Sequence, residues 1–283
     1  MGASSSYQTD MNSTSWSIPF DDKGDNRWAS FEYYPFKRGD NRIVYKGISF
    51  KYSIRFRKED ENEDETMKEA DEKLEITSTN TPYNTYWTKM KCVVQSVKHG
   101  EIESKDSRNA KSHWFRELSI TGSTYAKMFE KELPSGIRKS NIVFVKLYLT
   151  EIDNMSSAWN NVCNFFKSRN KRLSSGDLVL IEERIYWEFQ NFIFVDGTSH
   201  DKCPELLIAF IHFSYHKSEG KLVICDLQGA IDDNNNYFLT VPTIHSIEKS
   251  FGPKDQGNKG IKEVFYRHGC NEFCQKDWMK PWN

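Results

Sequence analysis

His268-Gly269-Cys270-Asn271-Glu272-Phe273-Cys274 puts an imidazole and two thiols within seven residues. This is the spacing of a structural zinc site rather than of a disulfide, and a closed zinc site needs four donors in a tetrahedron. The fourth must come from elsewhere, so the segment has to return to a distant element. Six other histidines are available, His99, His113, His200, His212, His216 and His245, and spacing does not choose among them. Without a metal, the same residues read as a reduced, buried cysteine pair beside a surface histidine. Six cysteines in 283 residues are too sparse for a disulfide-stapled secreted domain, so reduced thiols or metal ligands are expected.

The length suits one domain or two small ones, and it fits a single two-lobed enzyme. Hydrophobic residues make up only 37% of the chain and the mean hydropathy is -0.71, values that lean towards disorder. Against that stand 19 Phe, 13 Tyr and 8 Trp, far more aromatics than a disordered chain carries, so an aromatic-rich core is expected. The net charge of -1 offers no general attraction to nucleic acid or acidic lipid. It is a cancellation. Glu59 to Glu72 holds nine acids and one Lys, which leaves 38 basic against 31 acidic side chains elsewhere. A zinc-dependent nucleic-acid binder is disfavoured, because no aromatic-basic interleaving accompanies the Cys/His cluster.

The longest nearly apolar run, Leu206 to Tyr215, is too short to span a bilayer, and the first residues lack the apolar core of a secretory signal. A cytoplasmic protein without a transmembrane segment is expected. Met1-Gly2 followed by Ser6 fits the N-myristoylation pattern at Gly2. One acyl chain gives only marginal, reversible membrane association, for which the basic run Lys167 to Arg172 is a candidate second signal.

Residues 1–27 are polar and read as a flexible arm, with order beginning near Trp28. From Arg42 to Phe56 apolar residues roughly alternate, broken at Lys46-Gly47, which reads as two strands meeting at a turn or bulge. The acidic stretch and the Ser/Thr/Asn/Pro-rich residues after it, about 58–84, read as a solvated insertion. Trp87 to Lys98 reads as a strand, Ser112 to Leu133 as a helix broken at Thr121-Gly122, and Asn141 to Ile152 as one strand. Further strands are expected at Leu178 to Ile185 and Lys221 to Asp226, with helices at Pro204 to Lys217 and Ile261 to His268. The pattern is α+β, with two lobes joined near 182–198.

Cys225-Asp226-Leu227-Gln228-Gly229 ends a buried strand in an acid, a carboxamide and a glycine. Two residues apart on a strand, Asp226 and Gln228 point to one side, where they could share a hard cation such as Mg2+. An Asp capping a turn fits these residues equally well. Phe251 to Ile261 is a glycine-rich loop leading into a helix, whose free N–H groups could bind an anion.

Taken in order, Pro35 to Gly47, Ile181 to Phe189, Ala209 to Tyr215, Cys225 to Gly229, Leu239 to Ser246, Phe251 to Ile261 and His268 to Cys274 resemble the alpha-kinase family of atypical Ser/Thr protein kinases. The resemblance runs from about residue 32 to 280 and is most specific in the C-terminal half. It implies a two-lobed atypical protein-kinase fold in an alpha-type kinase domain over 28–283. The β-rich N-lobe would cover about 28–180 and the zinc-stabilised C-lobe about 181–283. It supplies His212 as the zinc ligand that joins His268, Cys270 and Cys274. It places Asp226 and Gln228 at the catalytic and metal-binding positions, with Gln228 on Mg2+. It also places Glu182 at the adenine-binding joint, Lys98 on the ATP phosphates, and Gly257 and Gly260 in the ATP-binding loop. ATP with Mg2+ would be the cosubstrate and Ser or Thr of a protein the acceptor.

The chain departs from the family's pattern in three places. Val241 stands where the family has a second acidic residue, with Asp232 and Asp233 as candidate substitutes. Aligning the strand Cys92 to Lys98 on Val93-Val94 puts Gln95 at the lysine position, three residues before Lys98. Asn191 to Gly197 lacks the polar run that follows the joint. These departures define an alternative, a pseudokinase that uses the zinc-stabilised fold as a binding scaffold.

Overall fold

The computed structural model of the chain describes residues 12–17, 26–32, 35–38, 43–56, 72–76, 83–96, 105–133, 141–154 and 176–281. Gly2, Lys98, residues 59–71 of the acidic stretch and the basic run Lys167 to Arg172 lie outside the described residues. The chain divides into two compact units, Met1–Ile102 with Tyr148–Arg184, and Glu103–Leu147 with Ile185–Asn283.

The first unit is built of strands Asn12–Ser17 (β1), Asn26–Phe31 (β2), Lys37–Arg38 (β3), Ile43–Phe56 (β4), Glu72–Ile76 (β5) and Tyr83–Ser96 (β6). To these it adds Leu147–Asn154 (β8) and Leu178–Glu183 (β9), while Ile142–Phe144 (β7) belongs to the second unit. Their order is β3-β4-β2-β1-β8-β9-β6-β5, and a further pairing of β4 with β6 closes six of them into a ring. Alternate residues face inward. Ala29 and Phe31, Ile43 and Tyr45, Cys92 and Val94, and Val179 and Ile181 form one buried cluster. This is the period-2 pattern of strands with one face on a core.

Three expectations change here. The supposed arm contributes β1, which pairs with both β2 and β8, so backbone pairing orders a stretch whose polar sequence predicted none. β4 runs unbroken through Lys46-Gly47, because Gly47 marks a close approach rather than a turn. A Cβ there would stand 2.9 Å from the Ser30 carbonyl oxygen. Asn141 to Ile152 is two strands, since β7 pairs in the second unit and β8 in the first.

The second unit holds the helices Lys105–Glu132 (α1), Glu205–Lys217 (α2) and Asn258–Arg267 (α3). Its other strands are Gln190–Ile193 (β10), Leu222–Cys225 (β11), Leu227–Ile231 (β12), Tyr237–Leu239 (β13) and Thr243–Ser246 (β14). One sheet has the order β10-β12-β13-β7, and β11 with β14 forms a second, two-stranded sheet. α2 is buried almost all round, as expected of a helix apolar on every side. Phe129 of α1 lies 5.6 Å from Phe210 and 5.1 Å from Phe213 of α2 by ring centroids. Each such ring contributes about 1.5–3 kcal/mol on leaving water. That shared core assigns α1 and β7 to this unit, although the sequence placed everything before residue 180 in the N-lobe. α1 also runs unbroken through Thr121-Gly122, where Gly122 is buried against the Phe144 ring.

Candidate functional site

Asp226 sits where β11 leaves its two-stranded sheet and the chain continues as β12 in the other. Its φ of 56° is the left-handed turn that lets one segment serve two sheets. The period-2 argument that pointed Asp226 and Gln228 to one side therefore fails at Asp226. Asp226 Oδ2 accepts hydrogen bonds from Thr243 Oγ1 at 2.8 Å and Lys254 Nζ at 3.0 Å. Thr243 is in reach because β14 pairs Thr243 with Cys225. Oδ1 has no partner among the described residues. Gln228 lies across from Asn191 of β10, and its main-chain carbonyl accepts from the N–H and hydroxyl of Thr240.

Val241 packs against the apolar core and carries no charge to the site. Asp232 does not replace it. Its carboxylate accepts from the Asn234 and Asn236 N–H groups in the β12–β13 turn, roughly 13 Å along the strand from Gln228. Asp233 lies in that same turn.

The glycine-rich loop is laced from inside by Asp255. Its carboxylate accepts from the Ser246 N–H at 2.8 Å, the Ser246 hydroxyl at 2.6 Å, the Phe251 N–H at 3.2 Å and the Gly257 N–H at 2.9 Å. The anion that the loop's amides were expected to hold is thus one of its own side chains, 6% exposed. Gly257 and Gly260, expected in the ATP-binding loop, are also tightly packed positions. Gly257 has φ +68° and starts α3, and a Cβ on Gly260 would stand 2.5 Å from the His245 ring. His245 is fixed at both nitrogens. Nε2 donates to the Val195 carbonyl at 3.0 Å and Nδ1 accepts from the Gln256 N–H at 3.2 Å. This lacing holds Lys254, adjacent to Asp255, over Asp226. Thr243 and Lys254 were missed in the sequence, because contacts spanning 17 and 28 residues leave no trace in spacing.

In the first unit β6 pairs with β9, with Gln95 opposite Leu180 and Val93 opposite Glu182. Gln95 Nε2 donates to Glu182 Oε2, and both side chains are buried on the face opposite the Cys92 and Val94 core. The family's lysine position, aligned on Val93-Val94, is therefore filled by an amide that engages Glu182.

The structure brings four Cys and His side chains together. Donor atoms of His212, His268, Cys270 and Cys274 all lie within 4.8 Å of one another. Cys270 Sγ is 3.6 Å from His212 Nδ1, and Cys274 Sγ is 3.8 Å from His268 Nε2. Donors around one tetrahedral Zn2+ stand about 3.3–3.8 Å apart, so the set fits. His212 projects from the middle of buried α2, and its Nε2–H donates to the Met279 carbonyl at 3.0 Å, which turns Nδ1 towards the thiols. Burial lowers the His212 pKa, and burial beside His212 and Lys280 lowers that of His268 to about 4. Both imidazoles are thus neutral, the form that ligates. Burial pushes the Cys274 thiol up to about 11, a proton that a dication displaces on binding. Cys92 and Cys203 are pushed by burial up to about 12, and Cys225 is also raised, so these thiols are inert packing groups.

Residues 51–274 match the model of the alpha-kinase family. The sequence is 36% identical over 98 residues to alpha-protein kinase vwkA of Dictyostelium discoideum, covering 34% of this chain and 16% of that protein. It is 30% identical over 112 residues to transient receptor potential cation channel subfamily M member 7 of Homo sapiens, covering 36% of this chain and 6% of that protein. The chain thus spans a small part of the length of these relatives. The solved alpha-kinase domain of myosin-II heavy chain kinase A in complex with AMP-PNP aligns with a TM-score of 0.58 over 95% of both chains, at 20% identity. The likeness to that structure is one of fold, an α+β, two-lobed kinase.

Proposed function

The chain belongs to the alpha-kinase family, and from that premise we propose that it is a cytoplasmic, ATP-dependent kinase acting on Ser or Thr of a protein substrate. The observation that carries this reading is Asp226, a carboxylate held at the break between two sheets by two donors on one oxygen, with the other oxygen open. In the proposed reaction a substrate hydroxyl oxygen bonds to the γ-phosphorus of ATP while the bond from that phosphorus to the β-phosphate oxygen breaks. ADP leaves with the electron pair, and the hydroxyl proton passes to Asp226 Oδ1. Lys98 steadies the phosphates and Glu182 serves the adenine. Gln228 of β12, expected on Mg2+, pairs across from Asn191 and is given no part in the step. The described residues do not by themselves fit a Mg2+ site, since Asp226 is paired with an ammonium and the nearby acids Asp196 and Asp255 are bound to donors of their own, so no step is assigned to that ion. His212, His268, Cys270 and Cys274 are proposed to hold Zn2+, which supplies a cross-link rather than chemistry.

A scaffold without efficient transfer is the second reading, favoured by Val241 and by the hydrogen bond from Gln95 to Glu182. Radiolabelled ATP with Mg2+ or Mn2+ and a basic protein substrate, run beside Asp226→Ala, separates the two. The kinase reading expects label on Ser or Thr that the variant loses by about a hundredfold or more. Incorporation no higher than in the variant leaves the scaffold. Among the described residues no helix is long and apolar enough to cross a membrane. Acylation at Gly2 is read from the intact mass of the native protein, and an unmodified Gly2 removes it.

A further inference from the structure

Asp226 holds its charge one-sidedly. Both hydrogen bonds, from Thr243 Oγ1 at 2.8 Å and from Lys254 Nζ at 3.0 Å, fall on Oδ2. Thr243 is 3% exposed and fixed in β14, whereas Lys254 is 63% exposed in its side chain and reaches over from the loop that Asp255 laces. Hard divalent cations are normally gathered by several oxygens, of which carboxylates carry the neutralising charge. Around Asp226 the nearby acids are committed, Asp255 to four donors of its own loop and Asp196 to Thr198 and Arg267, while Asp232 stays in its own distant turn. Among the described residues the only group of three or more His, Cys, Asp and Glu able to hold a metal is His212, His268, Cys270 and Cys274. What stands beside Asp226 instead is a cation that belongs to the chain.

We propose that Lys254 is a positioning residue that occupies the cation place at Asp226: with Thr243 it pins Oδ2, leaves Oδ1 as the working oxygen, and denies the chain a preformed seat for a free divalent cation. The inference rests on reading Asp226 as the reacting carboxylate. An ammonium 3.0 Å from Oδ2 makes the pair neutral, so a free dication meets no net attraction and a like charge close by. A divalent ion would then be retained only together with the phosphate oxygens of a nucleotide. The lysine also fixes the carboxylate plane, which a lone Thr hydroxyl leaves free to rotate.

The test uses the full, zinc-loaded chain with Mn2+ as probe and no nucleotide, followed by water-proton relaxation. Wild type is expected to show no stoichiometric Mn2+ site. Lys254→Met is expected to bind Mn2+ about tenfold or more tighter than wild type, and Lys254→Met with Asp226→Asn to lose that gain. Lys254→Arg, which keeps the charge, behaves as wild type. Zinc content and thermal melting are measured on each variant, and Lys254→Gln is carried in parallel so that a poorly folding variant does not decide the result. Equal Mn2+ binding by wild type, Lys254→Met and Lys254→Gln overturns the proposal, as does a tight nucleotide-free site in wild type. In the transfer assay, Lys254→Met lowers kcat more than it raises KM, and Lys254→Arg restores kcat in part. A chain that transfers no phosphate sinks the kinase reading while the Mn2+ titration still judges Lys254.

Discussion

A methyl group on Gly260 would stand 2.5 Å from the His245 ring, and that ring is tethered at both nitrogens, to Val195 and Gln256. It has nowhere to swing. Gly260→Ala is therefore expected to destabilise by about 1–3 kcal/mol, read as a lower denaturation midpoint, and an unchanged midpoint would show that α3 can slide. Ser214 makes the complementary point. Its buried hydroxyl donates to the Ile211 carbonyl at 2.7 Å and accepts from the Ile224 N–H at 2.9 Å, tying α2 to β11 just before Asp226. Ser214→Ala leaves that N–H buried without a partner, so a loss of about 1–3 kcal/mol is expected in chemical denaturation. Neither role was legible. Gly260 stood in the sequence as a glycine of the expected ATP-binding loop and Ser214 as one more residue of an apolar helix, because the contact that packs each is with a neighbour far along the chain.

At the scale of elements, the sequence located strands and helices where their own periodicity governs and failed where pairing governs. α2 and β9 came close to their predicted limits, since one is apolar all round and the other is a buried run led by aliphatic residues. β7 and β8 were read as one strand, because Asn141 to Ile152 is uniformly β-forming and nothing local reveals that its halves pair in different sheets. The loop between β14 and α3 illustrates the same limit. Its glycines suggested an open anion cradle, but the cradle holds Asp255, and an acid's identity alone does not reveal that four donors converge on it. Asp255→Asn tests this. The amide keeps the shape but turns one acceptor oxygen into a donor facing other donors, which strands at least one N–H or hydroxyl and costs about 2 kcal/mol or more. Hydrogen exchange should quicken at Phe251 and Gly257 before the rest of the second unit. Unaltered protection there would mean that the loop is held by other contacts.

At the scale of the whole chain, the Cys/His cluster is the feature whose consequence reaches furthest. Cys270 lies 58 residues beyond His212, so a metal bound to both fastens the segment after α3 onto the helix at the centre of the aromatic core. The spacing of His268, Cys270 and Cys274 announced a site, but only the family resemblance chose His212 among six histidines. The geometric reason is the Met279 carbonyl, which takes the other nitrogen and turns Nδ1 to the thiols. Trp278, 4% exposed, packs 5.3 Å from the His212 ring and 5.7 Å from Phe213 by centroids, so the segment's own apolar contacts sit directly on the four donors. Structural zinc sites release about 10–16 kcal/mol in small zinc-binding peptides, which rivals the roughly 5–15 kcal/mol that separates a folded domain from its unfolded chain. Removing the metal should therefore melt the second unit's packing, not merely fray one end. A strong chelator, or Cys274→Ser, is expected to lower the melting midpoint by at least about 10 °C and to expose residues 268–281 to protease. Metal analysis should return about one zinc per chain before treatment. A chain that melts at the same temperature with and without chelator would show that Trp278 and its aromatic neighbours hold the segment alone, and that the four donors converge without a metal's help.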